Sequence, residues 1–228
     1  MASIGLKLTG VFSLMFLLVV IFGAYSVSES RKALRQAVGK SSIFLAQETI
    51  NRIDKDIFLK IEQIQLYGKD VFLQQEIAES NSAFGELQDR DNYIASIDAE
   101  WRSEGEVSQS MKSVISNSVS DILRREFIEF GERKYGLSSY GEVFVTNKYG
   151  ANIAQTGRTT DYWQADETWW QEAVENGFSV GEMEFDESAM LWSVPIGVRI
   201  DDEQGNFVGV IKALPLIREI VREAELTT

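Results

Sequence analysis

A run of twenty residues without a charge, from Leu8 to Val27, constrains this chain more than any other feature of its sequence. As an α-helix rising about 1.5 Å per residue, the run matches a membrane hydrocarbon core of about 30 Å. A soluble core helix is disfavoured because the run has no polar face. The sequence therefore predicts a membrane anchor, and the alternative is a signal peptide cleaved after the segment Ala24-Tyr25-Ser26.

The basic residues that flank this run are unevenly distributed. Lys7 precedes it, whereas Arg31, Lys32, Arg35 and Lys40 follow it. Counted in this way, the positive-inside rule places the bulk of the chain in the cytoplasm.

The composition excludes several classes of function. The chain has no His and no Cys, which removes imidazole bases, thiol nucleophiles, disulfides and thiolate zinc sites. Its net charge of −13 argues against nucleic-acid binding, since duplex affinity comes mostly from Lys and Arg on phosphates. The charge is concentrated at one end: residues 139–228 carry 16 acidic and 6 basic residues, against 19 and 16 in residues 1–138. We expect a protein that is not an enzyme, holds no cofactor or metal, and binds no nucleic acid.

Residues 28–67 have helical periodicity. Apolar residues recur at steps of three, four or seven, at Ile43, Ile50, Ile53, Ile57, Ile61 and Ile64. This pattern predicts an amphipathic helix that continues directly from the membrane segment. Its apolar stripe packs either on the chain's own domain or in a parallel dimer; we expect domain packing with some dimer contact. Residues 70–135 are also predicted to be mostly helical, with breaks at Gly85 and Gly105.

Beyond Gly141 the pattern is typical of strands. Five are predicted, at Glu142–Thr146, Ala151–Thr156, Gly181–Asp186, Met190–Ile200 and Phe207–Leu214. Asn147–Gly150 is predicted as a turn and Trp169–Asn176 as a short helix that ends at Gly177. Asp201–Asn206 is predicted as a hairpin turn rather than a Ca²⁺ site, because it lacks the ligand spacing of a calcium loop. The fold class is therefore α+β, with a mostly antiparallel sheet.

The order of these segments resembles the Cache superfamily of extracytoplasmic sensor domains, of the double-Cache or PDC type. The matching pieces are GEVFVTNKYGANIAQTG, DYWQADETWWQEAVENG, GEMEFDES and IGVRIDDEQGNFVGVIKALPLI, after an N-terminal membrane helix and a long helix. The resemblance covers most of residues 28–220 and is strongest over 141–217. It implies a PAS-like five-stranded antiparallel sheet with flanking helices, in a sensor of the chemoreceptor or histidine-kinase kind. It also implies a sheet domain on the outer side of a bacterial inner membrane, against the charge count.

The resemblance divides the chain into five parts. Residues 1–7 are a cytoplasmic N-terminus, 8–27 the transmembrane helix, 28–138 a helical region with a long stalk helix, 139–217 the sheet domain and 218–228 a C-terminal helix or linker. The expected partners are the inner membrane, a small-molecule ligand and a second copy joined through the long helix.

Family members that bind amino acids use an Arg shortly before a Trp–aromatic pair, and an Asp late in the final strand. The pair is present here as Trp169 and Trp170, but Glu167 takes the place of the Arg and Leu214 that of the Asp. Amino-acid binding is therefore not carried over to this chain.

Four of the five Trp residues fall within thirty positions, among several acidic residues. Aromatic faces beside carboxylates favour a cation, so the sequence predicts a pocket for an amine or quaternary ammonium ligand. The predicted residues are Tyr162, Trp163, Glu167, Trp169, Trp170, Asp186 and Trp192. The alternative is that the Trp side chains fill the core and the acids form a solvated face. Arg158 and Lys212 are each candidates for contact with an anionic ligand or for a salt bridge.

A structural protein is the other functional class that the sequence allows. A hydrophobic N-terminal helix that extends into a β-rich head is also the plan of a pilin. The pilin processing signal is absent, since the fifth residue after Gly10 is Met15 rather than Glu.

Overall fold

A computed structural model describes residues 4–103, 108–186 and 191–217 of the chain. The chain divides into two compact units, Met1–Arg52 and Ile53–Thr228. The predicted break at Gly105 and the predicted segment 218–228 lie outside the described residues.

The predicted continuity of the first helix is confirmed, because helix α1 runs from Ile4 to Tyr67. Within the described residues it is the one helix long and apolar enough, by length and composition, to cross a membrane. In the first unit its apolar side chains are exposed, as at Phe16 and Phe22, and none of its most apolar window is buried.

Seven further helical segments follow α1 in the part of the chain that the structure describes. They are α2 (Val71–Gly85), α3 (Arg90–Arg102), α4 (Gln109–Ile115), α5 (Ser118–Leu123), a π-helical segment (Arg124–Glu129), α6 (Phe130–Tyr135) and α7 (Thr168–Asn176). Side-chain caps begin several of them: Asp70 accepts a hydrogen bond from the backbone N–H of Leu73 at 3.0 Å, and Asn117 from that of Ser120 at 2.8 Å. Such caps satisfy backbone donors that a helix start leaves unpaired, and the Asn117 cap separates α4 from α5.

A five-stranded antiparallel sheet forms the centre of the second unit, with the strand order β2-β1-β7-β6-β3. Its strands are β1 (Tyr140–Asn147), β2 (Asn152–Gln155), β3 (Phe178–Val180), β6 (Ile196–Asp201) and β7 (Phe207–Pro215); β4 (Glu184–Asp186) and β5 (Leu191–Ser193) form a separate hairpin. The predicted α+β class and five-stranded sheet are therefore correct.

Two predicted strands had the wrong bounds. Gly181–Asp186 is not one strand. The strand at this edge of the sheet is Phe178–Val180, directly after α7. Of the predicted segment only Glu184–Asp186 is a strand, and it pairs in the separate hairpin. The predicted strand Met190–Ile200 is interrupted at Val194 and Pro195, since proline has no N–H to give to a ladder.

The main core lies on one face of the sheet. Side chains from four strands (β1, β2, β6 and β7) and from α1, α2 and α5 form it: Ile61, Ile64, Leu73, Ile77, Val119, Leu123, Val143, Val145, Ala154, Val198 and Ile211 are among its buried members. Ile61 and Ile64 belong to the predicted apolar stripe, so its second half packs on the chain's own domain. Ile43 and Ile50, in the first unit, are exposed.

Two predicted turns are confirmed. At Asn147 the side-chain oxygen accepts hydrogen bonds from the N–H groups of Tyr149 and Ala151, and Gly150 has a positive φ of 80°. Asp202 organises the β6–β7 turn through hydrogen bonds from Asn206 and Gln204. These bonds, that of the Asn206 side chain first, lower the pKa of Asp202, and they occupy its carboxylate in a turn as the sequence predicts.

Candidate ligand-binding site

One row of side chains crosses the sheet on the face opposite the main core. Strand register places Phe144 opposite both Gln155 and Lys212, Lys212 opposite Gly197, and Gly197 opposite Ser179. Directly paired residues of antiparallel strands point to the same side, so these five residues share a face. We call Gln155, Phe144, Lys212, Gly197 and Ser179 the Lys212 row.

Helix α7 covers this row. It begins after Glu167, whose backbone is extended, and ends at Gly177 in the left-handed conformation (φ 87°) that closes many helices. Trp169 from α7 meets Phe144 edge to face, with ring centroids 5.8 Å apart. A Cβ atom at Gly197 would lie 2.9 Å from Cε3 of Trp169 and 2.6 Å from Oγ of Ser179. Trp169 thus packs on Gly197 at a distance that only glycine allows.

Trp170, next along α7, has a different environment. Its Nε1 donates a hydrogen bond of 3.0 Å to Oγ1 of Thr146, and its ring packs edge to face on Phe207. Successive helical residues point about 100° apart, so the two Trp side chains serve different contacts. Trp170 anchors α7 to the sheet, and Trp169 covers the row.

Lys212 carries the only basic side chain of the row. Its Nζ lies 4.5 Å from the ring centroid of Trp169 and 5.8 Å from that of Phe144, both cation–π distances. Among the described residues no carboxylate oxygen lies within 4.0 Å of this ammonium.

Two opposing effects act on the pKa of the Lys212 ammonium. Burial lowers the pKa of Lys212, and the negative charges of four acids raise it in part; they are Glu184, Glu142, Glu167 and Asp161, in order of size. The acids supply a favourable field without a direct ion pair. Lys212 is therefore a half-buried cation whose hydrogen-bond donors no described residue accepts.

Two more polar groups of the row have no partner. Nε2 of Gln155 and Oγ of Ser179 are buried without a hydrogen bond to any described residue, and both side chains are at most 5% exposed. Each unpaired buried polar group costs about 1–3 kcal/mol. Native structures hold few such groups. Gln155 lies on the edge strand β2 and Ser179 on the opposite edge strand β3, so the two groups stand at the two ends of the row, on either side of Lys212.

The structure separates the residues that the sequence predicts for a single site. Tyr162 and Trp163 lie near α3, where one carboxylate oxygen of Asp98 accepts the N–H groups of both, at 2.9 and 3.1 Å. Tyr162 is buried against Trp101, with ring centroids 5.5 Å apart, and this burial raises the pKa of its hydroxyl. Nε1 of Trp163 donates to the carbonyl oxygen of Tyr149.

The remaining predicted residues also diverge. Trp192, in β5, is 53% exposed and packs on Phe185. Asp186 contributes backbone to β4, and its side chain lies outside the described residues. Only Trp169 and Glu167 contribute directly to the surroundings of Lys212, with Trp170 beside them.

Sequence reasoning missed four members of the row, namely Phe144, Gln155, Gly197 and Ser179. It did single out Lys212 as a candidate for an anion. A lysine within the apolar strand GVIKALP is the signal that points to this face, because charged residues are almost never buried without a role.

The sequence matches no protein-family model and no curated protein. It is similar to solved structures of sensor domains. The ligand-binding domain of the Campylobacter jejuni chemoreceptor Tlp3, in complex with 4-methylisoleucine, is 13% identical, with a TM-score of 0.34 and coverage of 77% of this chain and 61% of that chain. The E. coli DcuS sensor domain is 11% identical, with a TM-score of 0.32 and coverage of 59% and 93%. The V. cholerae histidine kinase DctB sensor domain is 13% identical, with a TM-score of 0.33 and coverage of 66% and 57%.

These three structures are described as the ligand-binding domain of a chemoreceptor and as sensor domains, one of them from a histidine kinase. The chain spans about three fifths of the Tlp3 domain (61%). At these TM-scores the likeness says nothing of what this chain binds.

Proposed function

We propose that this chain is a Cache-type sensor without enzymatic activity, anchored in a bacterial inner membrane by residues 8–27, with its sheet domain on the outer side. It binds a small molecule on the Lys212 row, beneath α7. The observation that carries the proposal is the presence of a half-buried ammonium and two unpaired buried polar groups on one sheet face. A sheet that only needed a core would cover this face with apolar side chains.

The chemistry of the row favours a ligand with an anionic group such as a carboxylate. The Lys212 ammonium and the Gln155 amide nitrogen are donors, and each can give a hydrogen bond to a carboxylate oxygen. The sequence-based prediction of an amine ligand remains a prediction. In this row an amine competes with the Lys212 ammonium for the face of Trp169.

Ligand entry requires α7 to move. Trp169 rests directly on Gly197, and the row has no room for a ligand beneath that ring until it shifts. Because Ile61 and Ile64 of α1 pack on the opposite face of the same sheet, a change in sheet geometry reaches α1. We propose this route from the ligand to the membrane segment, which belongs to the same helix.

Calorimetric titration of the full chain in detergent micelles tests the ligand site. The panel contains acetate, succinate, butylamine and tetramethylammonium. We expect saturable binding of a carboxylate that Lys212→Met abolishes and that Lys148→Met, which removes an exposed lysine, leaves unchanged. Carboxylate binding that survives in Lys212→Met would contradict the site, and binding of none of the four would contradict the proposed ligand classes.

Cysteine labelling tests the orientation. The chain has no Cys, so Glu203→Cys in the β6–β7 turn introduces a single thiol. We expect a membrane-impermeant maleimide to label it from the outer side of the inner membrane. Labelling only after the membrane is opened would place the sheet domain in the cytoplasm. Association of two copies through α1 stays a prediction.

A further inference from the structure

A cavity of about 450 Å³ lies in the helical half of the second unit, between α2, α3, α4 and β2. It shares no residue with the Lys212 row. Its volume lies at the lower end of the range of about 300–1,000 Å³ that small-molecule sites occupy. We call it the helical cavity.

The helical cavity has an apolar side. Phe84, Ile97, Val114 and Ile153 line it, and Phe84 meets Tyr93 edge to face with ring centroids 5.8 Å apart. A ligand body with aliphatic or aromatic carbons would remove this surface from water.

Its polar side is acidic. Glu76 and Glu79, one turn apart on α2, line the cavity, and no Lys or Arg is among the described residues that line it. Residues three apart on a helix lie on the same side, so the two carboxylates are neighbours. Their field favours a cation in the cavity.

A buried amide oxygen provides an independent observation. Asn152 lines the cavity, is 1% exposed, and has an Oδ1 without a partner among the described residues. Buried amide groups normally find partners, so this unused acceptor indicates a missing one. Tyr162 also lines the cavity, and Asp98 and Trp101 hold its backbone N–H and its ring.

We propose that the helical cavity is a second ligand site, which binds a small amine with an apolar body. The ammonium lies against Glu76 and Glu79, the carbons lie on the Phe84 side, and the Tyr162 hydroxyl completes the polar contacts. This site is separate from the Lys212 row and does not depend on what binds there. The site contains Tyr162, which is one residue of the amine pocket that the sequence predicts. Its acidic residues come from α2, which is not part of that predicted pocket.

Calorimetry on the full chain in detergent micelles tests this site, with 2-phenylethylamine as the probe and 2-phenylethanol as its neutral counterpart. We expect saturable binding of the amine and none of the alcohol. The double variant Glu76→Gln, Glu79→Gln should raise the Kd at least about tenfold, as expected for the loss of charge-assisted contacts. Tyr162→Phe should raise it by a smaller factor.

Two variants serve as controls. Glu86→Gln removes an acid of the same region that does not line the cavity, and Lys212→Met removes the cation of the other site. Both should bind the amine as the unaltered chain does. Equal affinity for the alcohol, an unchanged Kd in the double glutamine variant, or no binding of the amine would each overturn the proposal. Loss of amine binding in Lys212→Met would place the amine at the Lys212 row instead.

Discussion

The two faces of the central sheet differ in the polarity of their side chains. Toward α1 the sheet presents Val143, Val145, Val198 and Ile211, which are completely buried with aliphatic partners. Toward α7 it presents a smaller apolar cluster around Trp170 and Val210, and the Lys212 row, in which Trp169 covers Lys212 and Gly197 and two buried polar groups are unpaired.

The difference lies within single strands. Ile211 and Lys212 are neighbours in β7, and their side chains point to opposite faces. The same backbone therefore supports a face that stabilises the fold and a face that lowers its stability. Proteins commonly accept such a loss where a site must bind something.

The largest expected effect tests the α1 face. Ile64→Ala removes a fully buried side chain, and we expect it to lower the free energy of unfolding by about 2–5 kcal/mol. Chemical denaturation measures the change. Leu66→Ala, on the same helix but 71% exposed, is the matched control and should change it by less than about 0.5 kcal/mol. Similar losses in both variants would show that the α1 face does not carry the core.

Gly197→Ala tests the close cover on the other face. The added Cβ would meet Trp169 at 2.9 Å and Ser179 at 2.6 Å, so we expect a loss of about 1–3 kcal/mol and a shift in Trp fluorescence. Gly157→Ala is the control, since its Cβ meets nothing within 4 Å. If Gly197→Ala changed neither the free energy of unfolding nor the Trp fluorescence, α7 would be able to shift away from the added methyl group without loss of stability.

Lys212→Met separates stability from binding. Replacing a half-buried cation by an apolar side chain of similar length should leave the free energy of unfolding unchanged or raise it, by about 1–2 kcal/mol. The same variant should lose carboxylate binding. A variant that is clearly less stable would show that Lys212 supports the fold, and the contrast between the two faces would fail.

The smallest expected effect is a pH dependence. Burial lowers the pKa of Lys212 in the folded chain below its ordinary value of 10.5. Between the lowered value and 10.5 the unfolded chain binds more protons, so the free energy of unfolding rises with pH in that window. Subtracting the Lys212→Met curve isolates this group. If the difference between the two curves of unfolding free energy is flat or falls with pH in that window, the lowered pKa of Lys212 is contradicted.

Local features were predictable from the sequence. The continuation of α1, the turn at Asn147, and helix α7 with its stop at Gly177 each depend on residues close together in the chain. Their signals are periodicity, side-chain caps and glycine, all of which act within a few residues.

The site was less predictable because it depends on register. Gln155 and Ser179 reach the same row only through four successive strand pairings, which no spacing in the sequence reveals. The Trp residues are close together in the sequence, which suggested one cluster. In the structure Trp163, Trp169 and Trp192 contact different partners, and the predicted amine pocket stays a prediction.

The pairing of β1 with β7 also has a kinetic consequence. These central strands join segments about sixty residues apart or more, whereas β1–β2 and β6–β7 are local hairpins. The two hairpins can form early, and the long loop between them must close before the Lys212 row exists. A ligand on this row would therefore bind no partly folded hairpin, and its whole binding free energy would favour the completed sheet.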